Sequence, residues 1–415
     1  MTVAPARSDV ERPQYLHQID LFRILTFACV IGVHVLGGTT GVADVSSNAL
    51  QMLLHFTREA FFALTGFVLV HQYSHRPLRA VAFWRRRFPL IGLPYLVWTV
   101  VYWAVPLVQQ GHLAPIDLGQ LGLDVVEGTA CYHLYFLLVT MQVYLLLPLL
   151  VRLLRVTTGQ HRWVLAVSAA GQLAVAWLLT NPPVTTGALG NLIAHGYTTI
   201  FAYQFYTVLG AVVALHFTAV HDWVHRHGRL VAAAVVAACA AVLLTYWHSV
   251  AAGVPPYLAA GVFQPYAALW YIALIIGMYT LASAWATRRQ PGSMLARIVS
   301  YGSDRSFGIF LSHPLVLAAL LGGPTDRLRT AVGQPWASLL IYLTTVVGAI
   351  VLTELLRRSP ISLATTGRRR LRRPARTDSD PSSPNAPSNP HPDPVPRQNS
   401  VVAPDRELGR VRGRA

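Results

Sequence analysis

The chain has no lysine; all 33 of its basic residues are arginine. Charge of either sign is scarce, at 12% of 415 residues. Soluble proteins carry about 25%, so an ordinary water-soluble domain is excluded. Only three cysteines occur, Cys29, Cys131 and Cys239, with neither metal-ligand spacing nor a pairing pattern. That excludes a thiolate metal centre and a disulfide framework, and Cys29 and Cys239 read as small hydrophobes in apolar runs. GxxxxGK(S/T), HExxH and GxSxG are all missing, which removes P-loop, zincin and serine-elbow chemistry. The first apolar run lacks a cleavage pattern before it, so it is expected to be retained as a span. The net charge of +16 does not mark a nucleic-acid partner, because the arginines lie between apolar runs and near the C-terminus. They form no basic stripe interleaved with aromatics.

What is abundant is apolar sequence: 53% of residues are hydrophobic and the mean hydropathy is +0.44. Runs recur at 19–37, 49–71, 88–108, 132–151, 163–180, 197–217, 230–247, 266–286, 305–322 and 335–356. Most are long enough to cross about 30 Å as helices, predicting about ten spans. Arginine alternates between the connections. Arg76, Arg79 and Arg85–Arg87 fall in the second, and others in the fourth, sixth and eighth; the first, third, fifth and seventh contain none. Only Arg327 and Arg329 in the ninth depart from this. The alternation predicts an all-α polytopic bundle in the cell membrane with both termini in the cytoplasm.

The expected organisation is a cytoplasmic arm at 1–17, a ten-helix domain at 18–358 and a tail at 359–415. The tail is rich in Arg, Pro and Ser and reads as disordered. Its arginines 368–373 are expected to sit against anionic lipid headgroups.

The first span, Gln18 to Leu36, carries Asp20, Arg23 and His34. From Arg23 to His34 a helix turns through about 1100°, within about 20° of whole turns, so guanidinium and imidazole share one face about 16 Å apart. Asp20 lies on the same stripe. Charged groups at such depth face a bundle interior or a wet cavity. The second span places Arg58 and Glu59 well inside, pointing about 100° apart, so each is expected to need a partner elsewhere. Arg85, Arg86 and Arg87 stand at the mouth of the third span, where guanidinium suits phosphate. His133 and Tyr135 open the fourth span. In the ninth, His313 precedes Pro314, whose ring removes a backbone hydrogen bond and frees a carbonyl. Glu354 and Arg357 read as a helix-end pair.

These motifs resemble integral-membrane acyltransferase family 3, whose members O-acylate carbohydrates and related natural products. Its first-helix pattern, Arg then ten residues then His, is matched by Arg23 and His34. The second-helix "plFFxlSGy" element is matched by Ala60-Phe-Phe-Ala-Leu-Thr-Gly-Phe67. HLYFLLVTMQVYLLLPLL is similar to the fourth-helix motif of the surface-polysaccharide and intercellular-adhesin-type branch. YGSDRSFGIFLSHP resembles the late Ser-x-Gly-Ile-Tyr-Leu-x-His element, with Phe310 for Tyr. Members often carry Arg-x-x-Arg at the inner end of the third helix. Here Arg85–Arg87 are followed by Phe88-Pro89-Leu90, which leaves open which arginines hold a donor.

The resemblance implies an acyl-CoA-dependent O-acyltransferase, with acetyl-CoA as donor substrate, no bound cofactor or metal, and a carbohydrate or glycosylated acceptor. His34 is then the expected general base, Arg23 a donor or oxyanion contact, and Asp20 its orienting partner. Arg85, Arg86 and Arg87 are the donor-binding candidates; Arg58, His133, Tyr135 and His313 are the acceptor-binding ones. The rival reading is an exporter or flippase of a polysaccharide or lipid-linked sugar, with the same polar groups lining its path.

Overall fold

The computed structural model describes residues 15–73, 76–109 and 117–370. Among these the chain is all-helical, with no strand. The first half contains α1 (His17–Thr39), α2 (Val45–Leu54), α3 (Thr57–Tyr73), α4 (Ala80–Gln109), α5 (Leu118–Glu127), α6 (Tyr135–Val156), α7 (His161–Thr180) and α8 (Gly187–Ala194). The second contains α9 (Gln204–Leu215), α10 (Phe217–Arg226), α11 (Gly228–Ala251), α12 (Pro256–Ala259), α13 (Ala268–Arg288), α14 (Met294–Leu320), α15 (Gly323–Val332), α16 (Trp336–Arg358) and α17 (Ser362–Thr366). Eight spans are long and apolar enough to cross a bilayer, α2 and α3 together forming one of them. Two bent pairs, α9 with α10 at 92° and α14 with α15 at 72°, raise the number to ten if each pair is one span. Helices are the answer that lipid imposes, since every backbone amide must find its partner within its own segment. Apolar side chains such as Trp163, Val167 and Trp177 on α7 remain on the outer surface, as a lipid-facing helix allows.

α1 is the hub, packed against α2, α3, α13, α14 and α16. The closest approach is between α3 and α9. A Cβ at Gly66 would lie 2.1 Å from the Thr207 carbonyl oxygen, and one at Gly210 would lie 1.8 Å from that of Ala63. Only hydrogen fits at this crossing, the usual device by which membrane helices bring backbones together. The glycine of the second-helix motif is therefore a packing residue. Phe62 then stacks on Phe136 at 5.6 Å and leans on Tyr203 at 4.5 Å, tying α3 to α6 and to the turn that leads into α9.

Two helices start earlier than hydropathy predicts. α4 begins at Ala80, so Arg85–Arg87 ride on the helix rather than preceding it. α14 begins at Met294, eleven residues before the apolar run, because the Ser293 hydroxyl caps it by accepting from the Ala296 amide. The expected tail also begins too soon. Residues 359–370 are folded back along α4: Ser362, Thr365 and Thr366 are buried, and Trp98 Nε1 donates to the Thr365 carbonyl at 2.9 Å. Hydroxyls, not apolar bulk, hold this segment, so its polar composition concealed it. The rest of the expected tail and the arm before residue 15 lie outside the described residues.

Candidate active site

A cavity of about 360 Å³ opens at the arginine-bearing end of the bundle. Its walls come from α1, α3, α4, α6 and α14, closed on one side by the segment after α17. Along each of these helices the lining residues follow one another by turns and stop at the same depth. α1 contributes Arg23 then Phe27; α14 contributes Ser303, Ser306, Phe307 then Phe310; α3 ends the series at Phe61.

At that depth four rings close on one another. Phe27 meets Phe61 at 6.3 Å and Phe310 at 5.6 Å, while Phe136 meets Phe61 at 5.7 Å and Phe310 at 5.8 Å. The imidazoles lie one or two helical turns beyond this layer.

His34, His133 and His313 come together there. His34 stacks on His313 at 5.4 Å and meets Tyr132 at 4.3 Å, and His133 meets His313 edge-on at 5.6 Å. Both His133 and His313 are wholly buried. Pro314 shapes this cluster. Its missing amide would have bonded the Phe310 carbonyl, and His313 Nδ1 takes that place at 2.7 Å. A carbonyl only accepts, so Nδ1 of His313 carries the proton and Nε2 presents a lone pair. That Nε2, and both ring nitrogens of His133, have no hydrogen-bond partner among the described residues. Phe310 packs against both rings, at 5.2 Å from His133 and 6.1 Å from His313.

On the cavity side, Arg23 Nη1 donates to Ser303 Oγ at 3.2 Å, and Ser303 Oγ donates to Asp20 Oδ1 at 2.6 Å. Asp20 is thus joined to Arg23 through a serine rather than directly. Ser303 lies inside the late-helix motif but no spacing in the sequence linked it to α1. Tyr15 adds a second donor to Asp20 at 3.1 Å.

Of the three donor candidates, only Arg87 lines the cavity, where it also donates to Gln72 at 2.7 Å. Arg85 and Arg86 are exposed and are not among the residues lining this cavity, since successive residues on α4 turn away by about 100° each. Arg368, from the supposed tail, also lines the cavity.

Arg58 donates to the Tyr135 hydroxyl at 3.1 Å and lies over the Phe263 ring at 5.2 Å. It sits in the first turn of α3 on the imidazole side of the aromatic layer. Glu59 is 2% exposed, with one carboxylate oxygen unpartnered. The pairing expected of Glu354 with Arg357 is also redrawn. Glu354 holds Arg305 at 2.9 Å and Arg358 at 2.9 Å, while Arg357 pairs with Asp304.

The fold and site define a multi-pass membrane protein with an arginine-lined cavity on one side of an aromatic layer and a histidine cluster on the other. Residues 16–354 match the sequence model of acyltransferase family 3, described as an acyltransferase domain, and the chain belongs to that family. It is a membrane acyltransferase. Neither a curated protein nor a solved structure shows a match to it.

Proposed function

We propose that the protein is an O-acyltransferase that moves an acetyl group from cytoplasmic acetyl-CoA to a hydroxyl of a carbohydrate or glycosylated acceptor at the plasma membrane. The carrying observation is the arrangement just described: a cationic cavity reaching up to the aromatic layer, with His34, His133 and His313 gathered behind it. The donor enters at the arginine-bearing end with its thioester leading. Arg23 faces the thioester carbonyl, where a fixed guanidinium stabilises the oxyanion that forms.

The acceptor lies on the imidazole side, with Arg58, Tyr135, His133 and His313 as its contacts. The unpartnered nitrogens of His133 and His313 support that placement, since a hydroxyl would satisfy them. His34 removes the hydroxyl proton as the oxygen attacks the carbonyl carbon. The carbon–sulfur bond breaks, and the CoA thiolate leaves with the proton that His34 returns. His34 does not itself line the cavity, so the thioester must pass the Phe27–Phe310 contact to be attacked.

The test is turnover of radiolabelled acetyl-CoA by purified protein offered candidate glycans. His34→Ala is expected to lower turnover by about 10²–10⁴-fold, the usual share of a general base, while still binding donor. Undiminished turnover in both His34→Ala and Arg23→Ala would remove the proposed site. A wild-type protein that binds no acyl-CoA yet exports polysaccharide would restore the exporter reading.

A further inference from the structure

The segment after α17, whose arginines are expected from sequence to meet lipid headgroups, is built into the cavity wall. Gly367 adopts a left-handed φ of 61°, and a Cβ there would strike the Leu90 carbonyl oxygen at 2.6 Å and the Phe307 ring at 2.9 Å. A glycine is needed to bring the chain this close to α4 and α14. Ser362 Oγ donates to the Arg368 carbonyl at 2.8 Å, which fixes the backbone from which the Arg368 side chain departs.

That side chain lines the cavity beside Arg87 and Arg23. Its one ion pair among the described residues is loose, 3.8 Å from Asp304 Oδ1, and Asp304 is already held by the buried Arg357 and by Arg305 at 3.4 Å. The cavity is thus lined by three arginines, Arg23, Arg87 and Arg368, against one carboxylate, Asp304, which Arg305 and Arg357 already engage. Arg368 is half exposed, anchored at its backbone and weakly held at its tip.

We infer that Arg368 is a phosphate contact of the donor, swinging from Asp304 onto a phosphate of acyl-CoA when the pantetheine arm enters the cavity. This rests on the proposed use of acyl-CoA. It assigns the C-terminal return segment to the donor site and supplies the second cation that the register of α4 lacks. The contact concerns only the phosphate-bearing part of the donor, so the chemistry beyond Arg23 does not depend on it.

The experiment compares acetyl-CoA with acetyl-pantetheine, which carries the same thioester and no phosphate, on the purified full chain in detergent. Arg368→Gln is expected to raise KM for acetyl-CoA about tenfold, the loss of one charge-assisted hydrogen bond, with kcat unchanged. Its KM for acetyl-pantetheine stays at the wild-type value. Arg368→Lys, which keeps a point charge, recovers part of the affinity and decides the matter should the glutamine variant not fold. Arg229→Gln, at an exposed position of α11 that does not line the cavity, changes neither donor. Equal loss with both donors would make Arg368 a wall residue or a lipid-headgroup contact and overturn the inference, as would no loss with either. A wild-type protein inert toward acetyl-CoA overturns the proposed function first, and the inference with it.

Discussion

Substituting Gly210 by alanine adds one methyl group at the tightest point of the bundle. Its Cβ would lie 1.8 Å from the Ala63 oxygen, 2.7 Å from that carbonyl carbon and 2.9 Å from the Phe67 nitrogen. A relaxed carbon–oxygen contact needs about 3.3 Å, so α3 and α9 must part by about 1.5 Å. The blocking atoms are backbone and cannot rotate aside. Gaps of 0.5–1 Å already forfeit a quarter to a half of a dispersion contact, and overpacking of this kind costs about 1–3 kcal/mol. Alanine's helix propensity returns at most about 1 kcal/mol. With blocking atoms that cannot move aside the cost lies at the upper end, and the steric loss wins by up to about 2 kcal/mol after the full propensity gain. The control is Gly122→Ala on α5, where nothing lies within 4 Å of the added carbon; there propensity acts alone and stability should hold or rise slightly. Thermal unfolding of the detergent-solubilised protein reads both. Turnover should also fall in Gly210→Ala by about 10²-fold, because Phe61 and Thr65 on α3 move with the helix. A Gly210→Ala protein as stable as Gly122→Ala would refute the argument.

Two further outcomes follow from the site's hydrogen bonds. Ser303→Ala cuts the link between Asp20 and Arg23 and leaves a buried carboxylate short of a donor. It should cost about 1–3 kcal/mol in thermal unfolding and raise donor KM, and wild-type values in both would show the serine idle. Pro314→Ala supplies an amide that competes with His313 Nδ1 for the Phe310 carbonyl. The helix should be at least as stable, yet turnover should drop as the ring loses its fixed tautomer; full turnover would detach His313 from the chemistry.

The number of spans was legible because lipid demands long apolar helices, and the arginines between them keep the same rhythm. Helix ends were not. Hydropathy registers only the apolar stretch, whereas α14 continues through Ser303, Asp304 and Arg305, which find partners on α1 and α16. The face shared by Arg23 and His34 was legible from helical geometry alone, and both side chains do turn toward the bundle, to Ser303 and to His313. What no periodicity carries is contact between distant segments. Ser303 meets Asp20 across 283 positions, and Arg368 reaches a cavity whose other walls lie far back in the chain. The Arg85–Arg87 run divides for a simpler reason: adjacent residues on a helix point about 100° apart, so of the three Arg87 turns to the cavity.

The four phenylalanine rings between cavity and imidazoles carry no hydrogen-bonding group at all. A file of water entering from the arginine-bearing end is broken at Phe27 and Phe310, and with it any wire along which protons hop. A membrane acyltransferase built this way keeps its arginine-lined cavity and its histidine cluster from sharing one column of water.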